Sequence, residues 1–362
     1  VKRGSAMGAD HAQRAFIGSF TSAGGRGITV ASVDRDTGAP SVLASTDVVA
    51  DPSFLAAGHA PGTGGTVLYT VSETTDGAVA AFGIDDDGTP RLIGEVRSVE
   101  GSSPTHLALT ADHLLTANYG SGSVTALPVR DDGAIGTATA VLRHEGSGPD
   151  EGRQSGPHAH QVLADPSGNW LLSVDLGTDS VRVCALDPAT GSLRLHAETA
   201  LRPGTGPRHL AFHPSGGHVY VLNELEPTVT VCRWDAAGGL LEPLGETQVL
   251  PYDHDEGDAV RTYPSELVVS HDGRFLWTAN RGHDSISVLT LDETAEKPVL
   301  AAAVGCGGRW PRDLTLDPTG QWLYVANEHS GNVSWFAVDA ETGVPAHAGS
   351  VEIPAASCVV LA

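Results

Sequence analysis

The sequence predicts an all-β protein: a seven-bladed β-propeller with four antiparallel strands per blade, its ring closed by pairing of N- and C-terminal strands. Three observations predict it. First, one phrase recurs seven times at a spacing of about 50 residues, which marks an array of a single supersecondary unit. The copies run from Ala15-Phe-Ile-Gly-Ser19 to Asp34, Leu68-Tyr-Thr-Val-Ser-Glu73 to Asp85, Leu114-Leu-Thr-Ala-Asn-Tyr119 to Asp131 and Leu171-Leu-Ser-Val-Asp175 to Asp187. The last three run from Val219-Tyr-Val-Leu-Asn-Glu224 to Asp235, Leu276-Trp-Thr-Ala-Asn-Arg281 to Asp292 and Leu323-Tyr-Val-Ala-Asn-Glu328 to Asp339. Second, each unit carries only strand and turn signals, as a propeller blade does. Third, the chain ends are complementary. The start supplies the last three strands of a blade, and Ile353-Pro-Ala-Ala-Ser-Cys-Val-Val360 is a lone first strand. Pairing them removes an exposed edge. A solenoid would need distinct capping units, and none is visible.

The strands follow in order within a unit. The first begins at a Pro, as in Asp51-Pro-Ser-Phe-Leu55, Ser103-Pro-Thr-His-Leu107, Gly206-Pro-Arg-His-Leu210, Tyr263-Pro-Ser-Glu-Leu267 and Trp310-Pro-Arg-Asp-Leu314. In Pro157-His-Ala-His-Gln161 the Pro is replaced by Ala159. Turns such as Asp165-Pro-Ser-Gly168 and His213-Pro-Ser-Gly216 lead on to the second strand, the Leu-Tyr-Val-Ala-Asn phrase. A third strand alternates and ends on Asp. A Gly-bearing turn, such as Asp36-Thr-Gly38 or Thr342-Gly343, then opens a short outer strand.

Composition sets outer limits. The net charge of −23 disfavours nucleic acid and anionic membranes as partners, and an anionic substrate requires local positive charge at its site. No run of 18 apolar residues exists, so no membrane span is expected. The four cysteines form no Cys-x-x-Cys pair and are expected as buried free thiols, consistent with a reducing, cytoplasmic setting. Residues 1–13 are expected to be a disordered tail or expression remnant, and 14–362 a single propeller domain.

In a repeat, a position filled differently in each copy is where chemistry is grafted. One such position opens the first strand and holds Ser53, Thr105, His160, Arg208, Ser265, Arg312 and Ala355. A second ends the second strand and holds Glu73, Tyr119, Leu176, Glu224, Arg281 and Glu328. The two strands are antiparallel neighbours, so both positions face one end of the ring. His160, Arg208, Glu224, Arg281 and Arg312 should converge there as a base, a carboxylate and three cations. Guanidinium groups grip carboxylate or phosphate in bidentate fashion. The same arginines could instead be tied up in salt bridges between blades. His158 and His160 could ligate a metal with Glu224, but the arginines would repel a cation, so neither metal nor cofactor is expected. Glu73 and Glu328 read as blade residues, His106, His209 and His213 as turn or core histidines, and the Asn118, Asn223, Asn280 and Asn327 position as a strand-end tie.

At these residues the chain resembles the seven-bladed propeller lactonase family, which includes the propeller type of 6-phosphogluconolactonase and the fungal 3-carboxy-cis,cis-muconate lactonizing enzyme. The resemblance runs from Arg14 to the end and rests on Pro157-His-Ala-His160, Gly204-Thr-Gly-Pro-Arg-His209, Asn223-Glu-Leu225, Asn280-Arg-Gly282 and Pro311-Arg312. It implies catalytic roles for His160, Arg208, Glu224 and Arg281, with His158 and Arg312 beside them as substrate-binding residues. It implies hydrolysis of a phosphorylated sugar lactone such as 6-phosphogluconolactone. The alternatives are a carboxymuconate cycloisomerase and a non-catalytic binding propeller.

Overall fold

A computed structural model describes residues 13–110, 112–251 and 261–362. The expected tail lies outside the described residues except for Gln13. Seven four-stranded antiparallel sheets account for the described strands, and a 3-10 turn at Thr21–Ala23 is the one helical element among the described residues. Numbered by their first strands, blade 1 begins at Ala356–Leu361, blade 2 at Leu55–His59, blade 3 at Pro104–Leu109, blade 4 at Ala159–Ala164, blade 5 at Pro207–Phe212, blade 6 at Tyr263–Val269 and blade 7 at Pro311–Leu316. These first strands touch one another in succession around a complete ring and form its inner wall. Blade 1 joins the chain ends: Ala356–Leu361 pairs antiparallel with Arg14–Ser19.

The apolar phrase is continuous because both faces of an inner strand are covered by neighbouring blades. Leu68 faces the cluster shared by blades 1 and 2, and Tyr69 the cluster shared by blades 2 and 3. Seven such clusters fill the seven gaps, and each fully buried Leu, Val or Phe contributes on the order of 1.5–3 kcal/mol. In four blades the aromatic position of the phrase also fastens the blade to the next. Tyr69, Tyr220, Trp277 and Tyr324 donate to the carbonyls of Gly133, Ala295, Gly343 and Gly38, in the outer turn of the following blade. Gly38 is required there: its φ is +68°, and a Cβ would lie 2.5 Å from the ring of Trp322 on blade 7. The Asn position is the strand-end tie expected. Asn118 Nδ2 donates to Ser123 and Thr125, and Asn223 Nδ2 to Thr228 and Thr230. All four cysteines are buried and unpaired. No helix among the described residues is long and apolar enough to cross a membrane.

Candidate active site

The first variable position coincides with a β-bulge. In blades 3, 4, 5, 7 and 1 the ladder between first and second strands skips one residue, Thr105, His160, Arg208, Arg312 and Ser357 in turn, and in blade 6 the break takes in Ser265 and Glu266 opposite Ala279. A bulged residue leaves the ladder and re-aims its side chain, here toward the axis. Blade 1 corrects the sequence reading. Its inner residue is Ser357, not Ala355, because Ala356 pairs with Ser19 and occupies the place of the Pro. Ala355 is the residue before it, with φ at +52° like Ser103 and Trp310. The second variable position lies at the same end. The N–H of Glu73, Tyr119, Glu224 and Glu328 bonds the carbonyl of the residue just before the Pro of its own blade.

One carboxylate organises half of this mouth. Glu224 Oε2 accepts from Arg281 Nη2 at 2.8 Å and lies 3.1 Å from Arg208 Nε, an ion pair whose angle makes no hydrogen bond. Glu224 Oε1 accepts from Arg153 Nη2. Burial alone would raise the Glu224 carboxyl, but Arg281, Arg208 and Arg153 outweigh it and hold the group at about 2. Three guanidiniums thus meet one carboxylate, and the cluster is cationic. Arg208, Glu224 and Arg281 are almost fully buried, whereas the Arg153 side chain is 34 % exposed. The salt bridges weighed from the sequence are present, and they hold the arginines at the mouth.

Arg153 was missed. It sits on the link 144–158 between blades 3 and 4, outside the repeat. That link and 249–262 are the long blade-to-blade connections, and their length was the available signal. The link is seated by backbone proximity: a Cβ on Gly177 would lie 1.9 Å from the Gly156 carbonyl, so only glycine fits. Arg153 also lies 5.8 Å from the ring centre of Tyr263 and donates to the Tyr119 hydroxyl at 3.4 Å.

The other half of the mouth is acidic. Arg312 is 3.2 Å from Glu328 Oε2 and 3.6 Å from Glu73 Oε1, and it lies over the Phe20 ring. Glu73 and Glu328, read from the sequence as blade residues, therefore belong to the mouth. Burial raises the Glu73 carboxyl, with Arg312 opposing. Aromatic rings rim the opening. Trp310 stacks on His329 at 4.6 Å, and the Arg281 guanidinium lies 5.7 Å from the centre of the same Trp310 ring.

The two histidines share a wall but differ in setting. His158 stacks on Tyr119 at 4.3 Å, and its Nδ1 bonds the Tyr119 carbonyl at 2.9 Å. His160 meets the same ring edge-on at 5.6 Å and is 5 % exposed. Burial, then Arg208, His209, Arg312 and Arg281, keep the His160 imidazole well below its ordinary range, so it is a neutral acceptor. The strand that carries it is braced from beneath. Asp175 replaces the Asn of other blades and Arg182 the hydroxyl residue, and they pair at 3.1 Å. Asp175 also takes His144 Nδ1 at 2.6 Å and the His158 N–H at 2.8 Å. Among the described residues no group of His, Cys, Asp and Glu has the arrangement of a metal site.

Comparison with known proteins agrees with the fold. A 6-phosphogluconolactonase of Bacillus subtilis is 32% identical over 348 residues, covering 95% of this chain and 97% of the relative. A crystal structure of a putative 6-phosphogluconolactonase from Bacteroides fragilis superposes with a TM-score of 0.89 at 27% identity, over 99% of this chain and 100% of the other. A periplasmic gluconolactonase of Pseudomonas aeruginosa gives 0.88 at 28% identity, over 96% of this chain and 98% of the other. Residues 14–361 match the family described as lactonase, 7-bladed beta-propeller, and the chain belongs to that family.

Proposed function

We propose that the protein hydrolyses a phosphorylated sugar lactone of the 6-phosphogluconolactone type. The observation that carries this reading is the division of the mouth. Arg153, Arg208 and Arg281 surround one carboxylate and offer an anion bidentate partners. Glu73 and Glu328 flank Arg312 and offer acceptors to hydroxyl groups. A phosphorylated polyol lactone has an anion for the first half and hydroxyls for the second. A carboxymuconate would bring a further carboxylate against Glu73 or Glu328, so this mouth favours the hydrolase over the cycloisomerase. The names of the relatives point the same way. A binding propeller would have no need of a neutral imidazole held beside guanidiniums. The unpaired buried cysteines support a cytoplasmic setting.

In this reading His160 takes a proton from water as the water attacks the lactone carbonyl. Arg208 or Arg281, oriented by Glu224, stabilises the oxyanion of the tetrahedral intermediate. Arg153, the most exposed of the three, holds the phosphate. His158 and Arg312 contact substrate at the wall and floor. The test is hydrolysis of freshly generated 6-phosphoglucono-δ-lactone against its spontaneous rate, beside Arg208→Ala. Acceleration by the wild type and a loss of about 10²–10³ in the variant are expected. No acceleration of the sugar lactone, with turnover of a carboxymuconate, would overturn the reading.

A further inference from the structure

Below the arginines the channel holds a second set of polar groups that the mechanism above does not use. His209 follows Arg208 on the blade 5 inner strand, and its Nδ1 lies 2.7 Å from Glu266 Oε2 on blade 6. Glu266 and Asp313 of blade 7 line the same enclosed part of the channel. Two carboxyl groups buried together repel as a double anion, which favours one proton held between them and one negative charge on the pair. The remaining acceptor oxygens are held by backbone: Glu266 Oε1 by the Leu267 N–H at 2.9 Å and Asp313 Oδ2 by the Val359 N–H at 2.7 Å. The His209 and His160 rings stand edge to face with centroids 5.1 Å apart. His209 Nε2 and His160 Nδ1 are both enclosed and without a partner. Beyond the pair the channel widens into a cavity of about 510 Å³ at the opposite end, lined by His106, Gln161, Glu266, His271 and Asp313 among others.

We propose that His209 and the Glu266–Asp313 pair form a proton relay beneath His160, which accepts the proton of the attacking water and returns it to the leaving ring oxygen. The relay rests on the lactonase reading and supplies what that reading lacks. His160 has no carboxylate of its own and stands among Arg208, Arg281 and Arg312. An imidazolium there would be strongly opposed by those charges. The relay moves the charge instead. As water attacks, His160 takes a proton on Nε2 and passes its Nδ1 proton, directly or through one water, to His209 Nε2. His209 passes its Nδ1 proton to Glu266. The oxyanion forms beside the guanidiniums, and the carboxyl pair becomes neutral. Collapse of the intermediate breaks the ring ester bond, and each proton retraces its path to protonate the leaving alkoxide. One water is consumed, one hydroxy acid is formed, and the product then ionises to solvent.

Around the pair stand Arg208 and His209 from blade 5, His106 from blade 3 and the Cys358 thiol from blade 1. Burial raises both carboxyls, with Arg208 opposing, which suits a pair that gains and loses a proton during turnover. The test is Glu266→Gln, which keeps an oxygen for His209 and removes the acid. We expect kcat to fall roughly 10- to 100-fold with KM within about two-fold, and the acid limb of the wild-type pH–rate profile to move. A folded Glu266→Gln protein with unchanged kcat and profile would overturn the relay. Should that variant not fold, the wild type answers by ¹⁵N NMR of its histidines. The His209 ring should respond as the carboxyl pair titrates, and His160 should remain neutral. A His209 ring that ignores the pair overturns the proposal. The NMR arm needs no turnover, so failure of the lactonase reading and failure of the relay are distinguishable.

Discussion

Replacing Glu224 by Gln should unmask the charge of the mouth. The carboxylate lies 2.8 Å from Arg281 and 3.1 Å from Arg208, and it also binds Arg153. At an effective dielectric of about 20, each pair of charges about 4 Å apart attracts by about 4 kcal/mol, a gross sum that burial and arginine–arginine repulsion reduce. Breaking a buried pair from one side typically costs about 3–5 kcal/mol. Linkage gives a second route to the same figure. The Glu224 carboxyl falls from 4.5 to about 2 in the folded protein, and that shift is worth about 3 kcal/mol at neutral pH. The two routes agree on a loss of about 3 kcal/mol for Glu224→Gln at pH 7. The sign with pH follows from a depressed carboxyl. The stabilisation is whole above about 4.5, and it is lost as pH falls toward 2. Urea unfolding of wild type and variant from pH 7 down to pH 3.5 reads this directly. The gap should be widest at pH 7 and should narrow below 4.5. Inorganic phosphate should raise the midpoint of the variant more than that of the wild type, because it can replace the missing charge. A gap that stays constant with pH, or a variant as stable as the wild type, would refute the assignment of Glu224 as the shared counter-ion.

Three further outcomes are expected. His160→Ala should lower the catalysed rate by about 10²–10⁴, whereas His158→Ala, whose ring packs on Tyr119, should cost less than about 10-fold; equal losses would contradict the choice of base. Arg153→Ala should raise KM for the phosphorylated lactone by about 10-fold or more, the worth of one charge-assisted contact. It should leave kcat and turnover of an uncharged lactone nearly unchanged, and an equal effect on both substrates would remove Arg153 from phosphate binding. Asp175→Asn should destabilise the protein by about 3–5 kcal/mol at pH 7, because it leaves Arg182 and His144 buried against a neutral amide. Burial opposes the low carboxyl of Asp175 but its hydrogen bond from His144 and other contacts prevail, so the penalty should fade on acidification, as a thermal unfolding series would show.

The ring was legible because its fastenings repeat. The Tyr or Trp that bonds the next outer turn and the Asn that ties a strand end occupy fixed places, so the period was plain in the sequence. His160, Arg208, Glu224 and Arg281 were legible for the complementary reason, as the residues left over when the repeat is subtracted. Arg153 was not, because the link 144–158 has no counterpart against which to align it. Glu73 and Glu328 were in the right position, but their meaning depends on Arg312, and only closure of the ring through blade 1 brings Glu73 of blade 2 within reach of Arg312 of blade 7. His209 defeated the alternation rule for strands. A two-residue period would turn Arg208 and His209 to opposite faces, and the bulge lets both look into the channel at different depths. Ala355 was misplaced because Pro354 reads like the Pro that opens the other first strands, whereas the strand starts two residues later, at Ala356.

The bulges also bear on how such a protein changes over time. A residue that stands outside the ladder contributes nothing to register, and its replacement leaves the hydrogen bonds of its blade intact. The inner wall therefore works as a set of sockets spaced around an axis, each able to take a hydroxyl, an imidazole or a guanidinium, with neighbours linked side chain to main chain, as Thr105 is to His160 and Arg208 to Ser265. A lineage can rewrite the chemistry of its mouth in these sockets while the backbone ring that presents them stays the same.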